Sequence, residues 1–259
     1  MSLPDKQKEN IKNLITNCIR NKLENYKPES NSMPFHYRLL GKDRMALYSF
    51  MQSLNTTFGT SIFEPVAVEL AKSKFARVIS QYRLKNEISE GCQNVIQDIM
   101  NKLSTGEHNP SKKEELTRIR ETVGGKINKI KQVKVDLFLE TKEGEQYLID
   151  LKTAKPNTNE FKSYKRNLLE WAAIVFTDNP KAKVNTIIAI PYNPYEPDPY
   201  ERWTIKGMLD NSELMVGKEF WDFLGGKGAY EDLLSCFEEA GVELRSEIDE
   251  YFARFKNKY

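Results

Sequence analysis

Apolar residues along this chain recur with two periods, and the change from one to the other marks out its elements. Between residues 5 and 26, Ile11, Leu14, Ile15, Cys18, Ile19 and Leu23 fall at the spacing of an amphipathic helix. Pro28 and residues 29–34 interrupt it. A second helix is predicted over 38–54, with Leu39, Leu40, Leu47, Phe50, Met51 and Leu54 apolar. Thr57-Phe58-Gly59 should break the chain, after which Ser61 can cap a helix with Glu64 as its capping-box partner. Pro65 suits only the start of that helix, and Phe63, Val66, Ala67, Leu70 and Ala71 form its buried stripe. Further helices are expected over 88–103 and 114–121, separated by a loop at 104–111 and followed by Gly124-Gly125.

At residue 133 the period changes to two. Val133, Val135, Leu137 and Leu139 interleave with Lys134, Asp136, Phe138 and Glu140, as in a strand. Lys142-Glu143-Gly144 offers turn chemistry, and 146–153 reads as a second strand. In that strand Asp150 and Lys152 leave one face while Ile149 and Leu151 point the other way, into a core. Parity decides whether Asp136 joins them. A two-residue loop at Glu143-Gly144 would set Asp136 opposite Leu151; a three-residue loop over 142–144 sets it opposite Asp150. Gly144 stands where the longer loop needs a left-handed residue, so that loop is predicted. A clear helix follows over 160–176, then a β-branched strand at 184–190 and a proline-rich connector at 191–199. Residues 203–209 continue the sheet or start a helix. Residues 218–224 form a short aromatic element, and 230–240 and 244–255 are closing helices.

Composition narrows the class. With 259 residues, 39% hydrophobic and 29% charged, the chain has the balance of a soluble globular protein with a large core. No apolar run approaches the ~18 residues of a membrane span and no signal peptide opens the chain, so a cytoplasmic location without a membrane partner is expected. Cys18, Cys92 and Cys236 are far apart and odd in number, which fits a reducing compartment. Net charge is only +2, but it is unevenly spread. Residues 112–134 hold eight Lys or Arg against three Glu, while 228–250 hold eight Asp or Glu against Arg245 alone. One basic face and one acidic end follow, although two solvated helix surfaces would carry the same charges.

Asp136, Asp150 and Lys152 are the candidate chemistry. Two carboxylates on adjacent strands repel unless a cation lies between them. Mg²⁺ needs only one or two carboxylates and otherwise keeps water or takes substrate phosphate. An amine beside it can polarise water or steady a phosphate oxygen that gains charge. A solvated hairpin with ordinary surface charges would look similar from D-x-K alone. His36 and His108, the only histidines, leave no Ser-His-Asp or Cys-His constellation. Gly124-Gly125-Lys126 lacks the spacing of a P-loop.

Asp136 followed by Asp150-Leu151-Lys152 on the next strand resembles the PD-(D/E)xK nuclease signature, with Val135 where that motif often has Pro. The run IDLKTAKPN and the basic helix ending in LLEW resemble type II restriction endonucleases. With SFMQSLNTTFGTSIFE upstream and GKEFWDFLGG downstream, the likeness is to the TdeIII type, over roughly 48–237. The resemblance implies an α/β restriction-endonuclease-like core: a central mixed β-sheet flanked by helices, with a helical N-terminal region. It implies one nuclease domain over 1–259, with a helical part at 1–55, a catalytic core at 56–190 and a helical part at 191–259. It also implies Mg²⁺, double-stranded DNA as partner, a homodimer on a short palindrome and a GGNCC-like site. Such enzymes commonly add an acidic residue from a preceding helix, which makes Glu64 first choice and Glu69 second, and the carbonyl of Leu151 a further ligand. Glu64 as a capping residue is the competing role.

For the DNA contact, Arg118, Arg120 and Lys126 lie in the basic stretch and can clamp phosphates, with Arg118 or Arg120 also suited to guanine edges. Lys155 and Asn157 leave the second strand where a phosphate or base would lie, although Pro156-Asn157 is also ordinary turn chemistry. Lys162, Lys165 and Arg166 put positive charge at a helix start against the helix dipole, which a polyanion would relieve; plain solvated lysines are the alternative. A RecB-like exonuclease would add QxxxY after the lysine, and no Gln follows Gln146. A junction-type nuclease and a non-catalytic DNA-binding module are the alternative readings of the same core.

Overall fold

The amphipathic period near the N-terminus forms α1 (Asp5–Asn25), which buries Ile11, Ile15, Ile19 and Leu23. The computed structural model describes residues 2–28, 33–152, 158–201 and 207–256. Two compact units divide the chain: a helical one from Met1–Glu69 and Gly226–Tyr259, and an α/β one from Leu70–Gly225.

In the helical unit α1 packs against α9 (Ala229–Glu243) and α10 (Arg245–Lys256). The helix expected over 38–54 is two helices. Gly41 at φ +88° separates α2 (Pro34–Leu40) from α3 (Lys42–Thr57), a backbone turn that a residue with a Cβ resists. The break expected at 57–59 is absent. The chain continues through a π-helical turn, Phe58–Phe63, into α4 (Glu64–Ala71). Phe58 and Phe63 stack at 5.5 Å and both approach Phe237, so ring packing outweighs the helix-breaking tendency of Gly59. Ser61 therefore lies inside a helical run and caps nothing, which removes the capping role for Glu64.

The α/β unit holds a five-stranded mixed sheet in the order β1 (Arg77–Arg83), β4 (Lys134–Glu140), β5 (Glu145–Leu151), β6 (Lys183–Ile190), β7 (Leu214–Val216). β1–β4 and β4–β5 are antiparallel, whereas β5–β6 and β6–β7 are parallel. The β5–β6 crossover carries α7 (Thr158–Asp178), whose Phe161, Leu168, Leu169, Ala172 and Phe176 are buried with Phe138, Leu148 and Ile188 of the sheet. β2 (Glu87–Ser89) and β3 (Ile127–Lys129) form a separate ribbon around α5 (Glu90–Thr105) and α6 (Lys112–Glu121). Ser89 caps α5 by accepting from the Cys92 N–H at 3.3 Å. α8 (Lys218–Gly225) closes the unit, burying Phe220, Trp221 and Leu224. This is the restriction-endonuclease-like α/β arrangement expected, with helices on a mixed sheet. The last strand is at 214–216, while 202–206 lie outside the described residues. Among the described residues no helix is long and apolar enough to cross a membrane.

Candidate active site

The β4–β5 hairpin is built as parity required. Leu137 pairs with Ile149, Leu139 with Tyr147 and Glu140 with Gln146, a register that carries on to set Asp136 against Asp150. Gly144 takes φ +79° and donates its N–H to the Thr141 carbonyl at 3.1 Å, while Thr141 N–H donates to Glu145 O at 2.9 Å. The loop thus spans three residues, with glycine supplying the left-handed conformation.

Asp136, Asp150 and Lys152 come together at one end of this hairpin. Lys152 Nζ lies 2.6 Å from Asp150 Oδ2. Asp136 Oδ2 accepts from the Leu151 N–H at 2.9 Å, and its Oδ1 accepts from Gln81 Nε2 at 3.3 Å. Asp150 is buried, and its pKa is pushed up to about 7: burial is the main cause, and a hydrogen bond with Asp136 adds to it, against the pull of Lys152. The Lys152 ammonium sits 5.3 Å from the Tyr164 ring centre, a cation–π contact. Burial, and then Glu160, raise the Tyr164 phenol well above its ordinary value.

Sequence reasoning passed over Gln81. It lies in β1 between Ser80, paired with Leu137, and Tyr82, paired with Val135, and so stands opposite Asp136. Its φ is +50°, and among the described residues it is the one non-glycine at positive φ. That conformation costs roughly 1–2 kcal/mol for an L-residue. Here it accompanies an amide aimed at a carboxylate of the site. Nothing in the alternation of β1 announces it.

The donor set fits a hard divalent cation. Two carboxylates converge, and burial makes the ionisation of Asp150 unfavourable without added positive charge. Among the described residues no group of three or more His, Cys, Asp or Glu side chains is poised to hold a metal; Asp136 and Asp150 are the two carboxylates that meet at this end of the hairpin. Glu64, buried on α4, and Glu69, whose Oε1 accepts from Asn10 Nδ2 at 2.9 Å, belong to the helical unit.

Residues 3–241 match the family described as type II restriction endonuclease, HinfI. The chain belongs to that family. It is 28% identical over 196 residues to the type II restriction enzyme MjaII of Methanocaldococcus jannaschii, covering 71% of this chain and 51% of that enzyme. To the type II restriction enzyme HgiCII of Herpetosiphon aurantiacus it is 26% identical over 220 residues, 83% of this chain and 80% of the relative. HgiEI from the same organism gives 26% over 220 residues, with 83% and 79% covered. The chain thus spans about half the length of MjaII and about four-fifths of the other two.

The basic residues singled out in this HinfI-family chain sit in different situations. Lys162 and Lys126 are exposed. Arg118 pairs with Asp98 at 2.6 Å, and Arg120 lies 4.5 Å from the Phe176 ring and donates to Ala182 O at 3.3 Å. Arg166 donates to Gln97 Oε1 at 2.8 Å and lines a cleft of about 360 Å³ with Gln93, Gln97, Lys131 and Glu170. Lys155 and Asn157 lie outside the described residues. Lys165 requires a correction. Its side chain is fully buried, and its ammonium is shared between Glu115 and Glu213, the latter at 2.7 Å, so it has no path to a phosphate. Phe161, Tyr164, Lys165, Leu168, Leu169 and Ala172 share one buried stripe of α7; that phase was the available signal, and charge obscured it.

Proposed function

We propose that this chain is a Mg²⁺-dependent type II restriction endonuclease of the PD-(D/E)xK kind, hydrolysing phosphodiester bonds of double-stranded DNA at a short palindrome. The observation that carries this is the convergence of Asp136, Asp150 and Lys152 at one end of the β4–β5 hairpin, in a chain of the HinfI restriction family. Asp136 and Asp150 would hold the cation, with Leu151 O and Glu64 as further ligands and Glu69 in reserve. A divalent cation bound there supplies a Lewis acid for the phosphoryl oxygens. The Lys152 ammonium, 2.6 Å from Asp150 Oδ2 at the same end of the hairpin, would face the scissile phosphate. There it can orient the attacking water and stabilise the negative charge that grows on a non-bridging oxygen. Gln81 and the Leu151 N–H fix the Asp136 carboxylate, so its lone pairs need little reorganisation.

A palindrome cut in both strands is met by a two-fold pair of chains. The TdeIII-type likeness points to a GGNCC-like sequence. Arg118, Arg120, Lys126, Lys162 and Arg166 are the described candidates for the DNA face. Digestion of phage DNA with Mg²⁺ tests the reading: discrete bands support it, a smear assigns a non-specific nuclease of the same core, and intact DNA assigns a binding module. Lys152→Ala is expected to lose at least about a thousandfold in cleavage rate while holding DNA in Ca²⁺; unchanged cutting would sink the site.

A further inference from the structure

Lys152 carries its charge on a flexible four-carbon stem, and such a cation returns to one point only if something seats it. Its backbone is fixed, because its N–H extends the β5–β6 ladder by donating to the Ala189 carbonyl at 2.9 Å. Two groups restrain its head: Asp150 Oδ2 at 2.6 Å and the Tyr164 ring, whose centre lies 5.3 Å away. They differ in kind. Asp150 is one of the carboxylates assigned to the divalent cation, and a carboxylate that serves a metal has less negative charge to offer an ammonium. The ring has no such second duty. It attracts the ammonium through its quadrupole without neutralising it, and takes up none of the hydrogen bonds that three N–H donors can offer to oxygen.

Tyr164 is placed to act as a firm seat. It is buried on the inward stripe of α7 and meets the Phe161 ring edge-on, with centres 5.8 Å apart. Glu160 stands one turn earlier on the same helix face, and the Tyr164 hydroxyl donates to its carboxylate. A phenol that donates to an anion is richer in ring electrons, which strengthens the pull of its face on a cation. The surroundings also separate two uses of this tyrosine. Burial first, then the charges of Glu160 and Asp150, keep the phenolic proton in place. The hydroxyl is thereby a poor general acid or base, and the ring is the part that acts.

We propose that Tyr164 is a positioning residue for DNA cleavage: its ring, braced by Glu160, seats the Lys152 ammonium where the scissile phosphate arrives. The role rests on the nuclease reading above, whereas the contact is tested without cleavage.

The decisive comparison is between rings of one shape and falling electron density. The full chain is made with Tyr164→Phe and with phenylalanines bearing one, two or three ring fluorines at the same position. Single-turnover cleavage of phage DNA in saturating Mg²⁺ is read beside DNA affinity in Ca²⁺ and melting temperature. Tyr164→Phe should slow cleavage about two- to fivefold, each added fluorine should slow it further, and three should bring the loss to about thirtyfold. Affinity and melting temperature should hold through the fluorine series, because the ring keeps its shape and touches the ammonium rather than DNA. Glu160→Ala should slow the wild type a few-fold and leave Tyr164→Phe unchanged, since without the hydroxyl there is nothing to brace. A flat fluorine series, or rates that fall only in step with melting temperature, would overturn the role.

The contact itself is read by NMR of the metal-free protein. The ε-methylene protons of Lys152, assigned by their loss in Lys152→Ala, should lie upfield of the other lysines through the ring current. Their appearance at the common position would remove the seat. A wild type that holds the contact yet cuts no DNA loses the restriction reading and the role with it. A wild type that cuts while the series stays flat loses the role alone.

Discussion

Asp150 carries the least favourable charge of the hairpin. Its folded pKa of about 7 stands above the ordinary ~3.9 of an aspartate. A carboxyl raised in this way contributes stability that is fully present below the unfolded pKa and is lost as pH rises through the folded one. The metal-free protein is therefore expected to melt at falling temperature from pH 4 through pH 7, and Mg²⁺ at pH 8 should reverse the loss. Asp150→Asn should raise metal-free stability at pH 8 by about 2 kcal/mol, or roughly 4–8 °C, while abolishing cleavage. A flat wild-type profile in calorimetry would contradict this.

Gln81 gives a second residue-scale test. Gln81→Gly removes the amide but relieves the left-handed backbone, whereas Gln81→Ala removes the amide and keeps the strain, so Gly should exceed Ala by about 1 kcal/mol. Both should raise the Mg²⁺ concentration needed for half-maximal cleavage several-fold, since Asp136 loses a donor that aims it. The hairpin itself was legible in advance, because alternation, Gly144 and parity are local. Gln81 was not, because its backbone is set by a partner strand more than fifty residues away.

At the scale of elements, α7 separates two lysines that charge alone treats alike. Lys165 lies on the buried stripe and ties α7 to Glu115 on α6 and to Glu213 before β7. Those carboxylates are themselves braced: Ser111 N–H donates to Glu115 at 3.2 Å and Asp210 N–H to Glu213 at 2.8 Å. Lys165→Met would leave two buried carboxylates without their cation, a loss of about 3–5 kcal/mol and roughly 10 °C in melting temperature. Lys162, exposed three residues earlier, should tolerate Ala within about 0.5 kcal/mol. Equal melting of the two variants would remove the structural role given to Lys165. Helical phase already held this distinction. The π-helical turn at Phe58–Phe63 was hidden for the opposite reason: its cause is the packing of three rings, one of them from the far end of the chain.

Across the whole molecule, the sheet's middle was readable and its edges were not. β4, β5 and β6 carry buried apolar runs, while β1 is mostly exposed and the apolar pattern assigns it no element, and β7 is three residues long. The grouping of both chain ends into one helical unit depends on contacts between distant segments, which periodicity does not encode. Charge asymmetry, by contrast, is visible in sequence and makes a prediction at this scale. The basic stretch at 112–134 belongs to the α/β unit and the acidic stretch at 228–250 to the helical one. If the basic stretch meets DNA, each phosphate it neutralises releases counterions, and log affinity falls with log salt by about 0.9 per contact. Lys126, Lys129 and Lys131 are all exposed. Replacing the three by Gln should reduce the slope, measured in Ca²⁺ without cleavage, by about 2–3, with little change in melting temperature. Glu238→Gln with Glu239→Gln should leave the slope where it was, because carboxylates bind no phosphate and so release no DNA counterion. A slope that follows the acidic pair and ignores the lysines would place the duplex on another surface and withdraw the basic stretch from DNA binding.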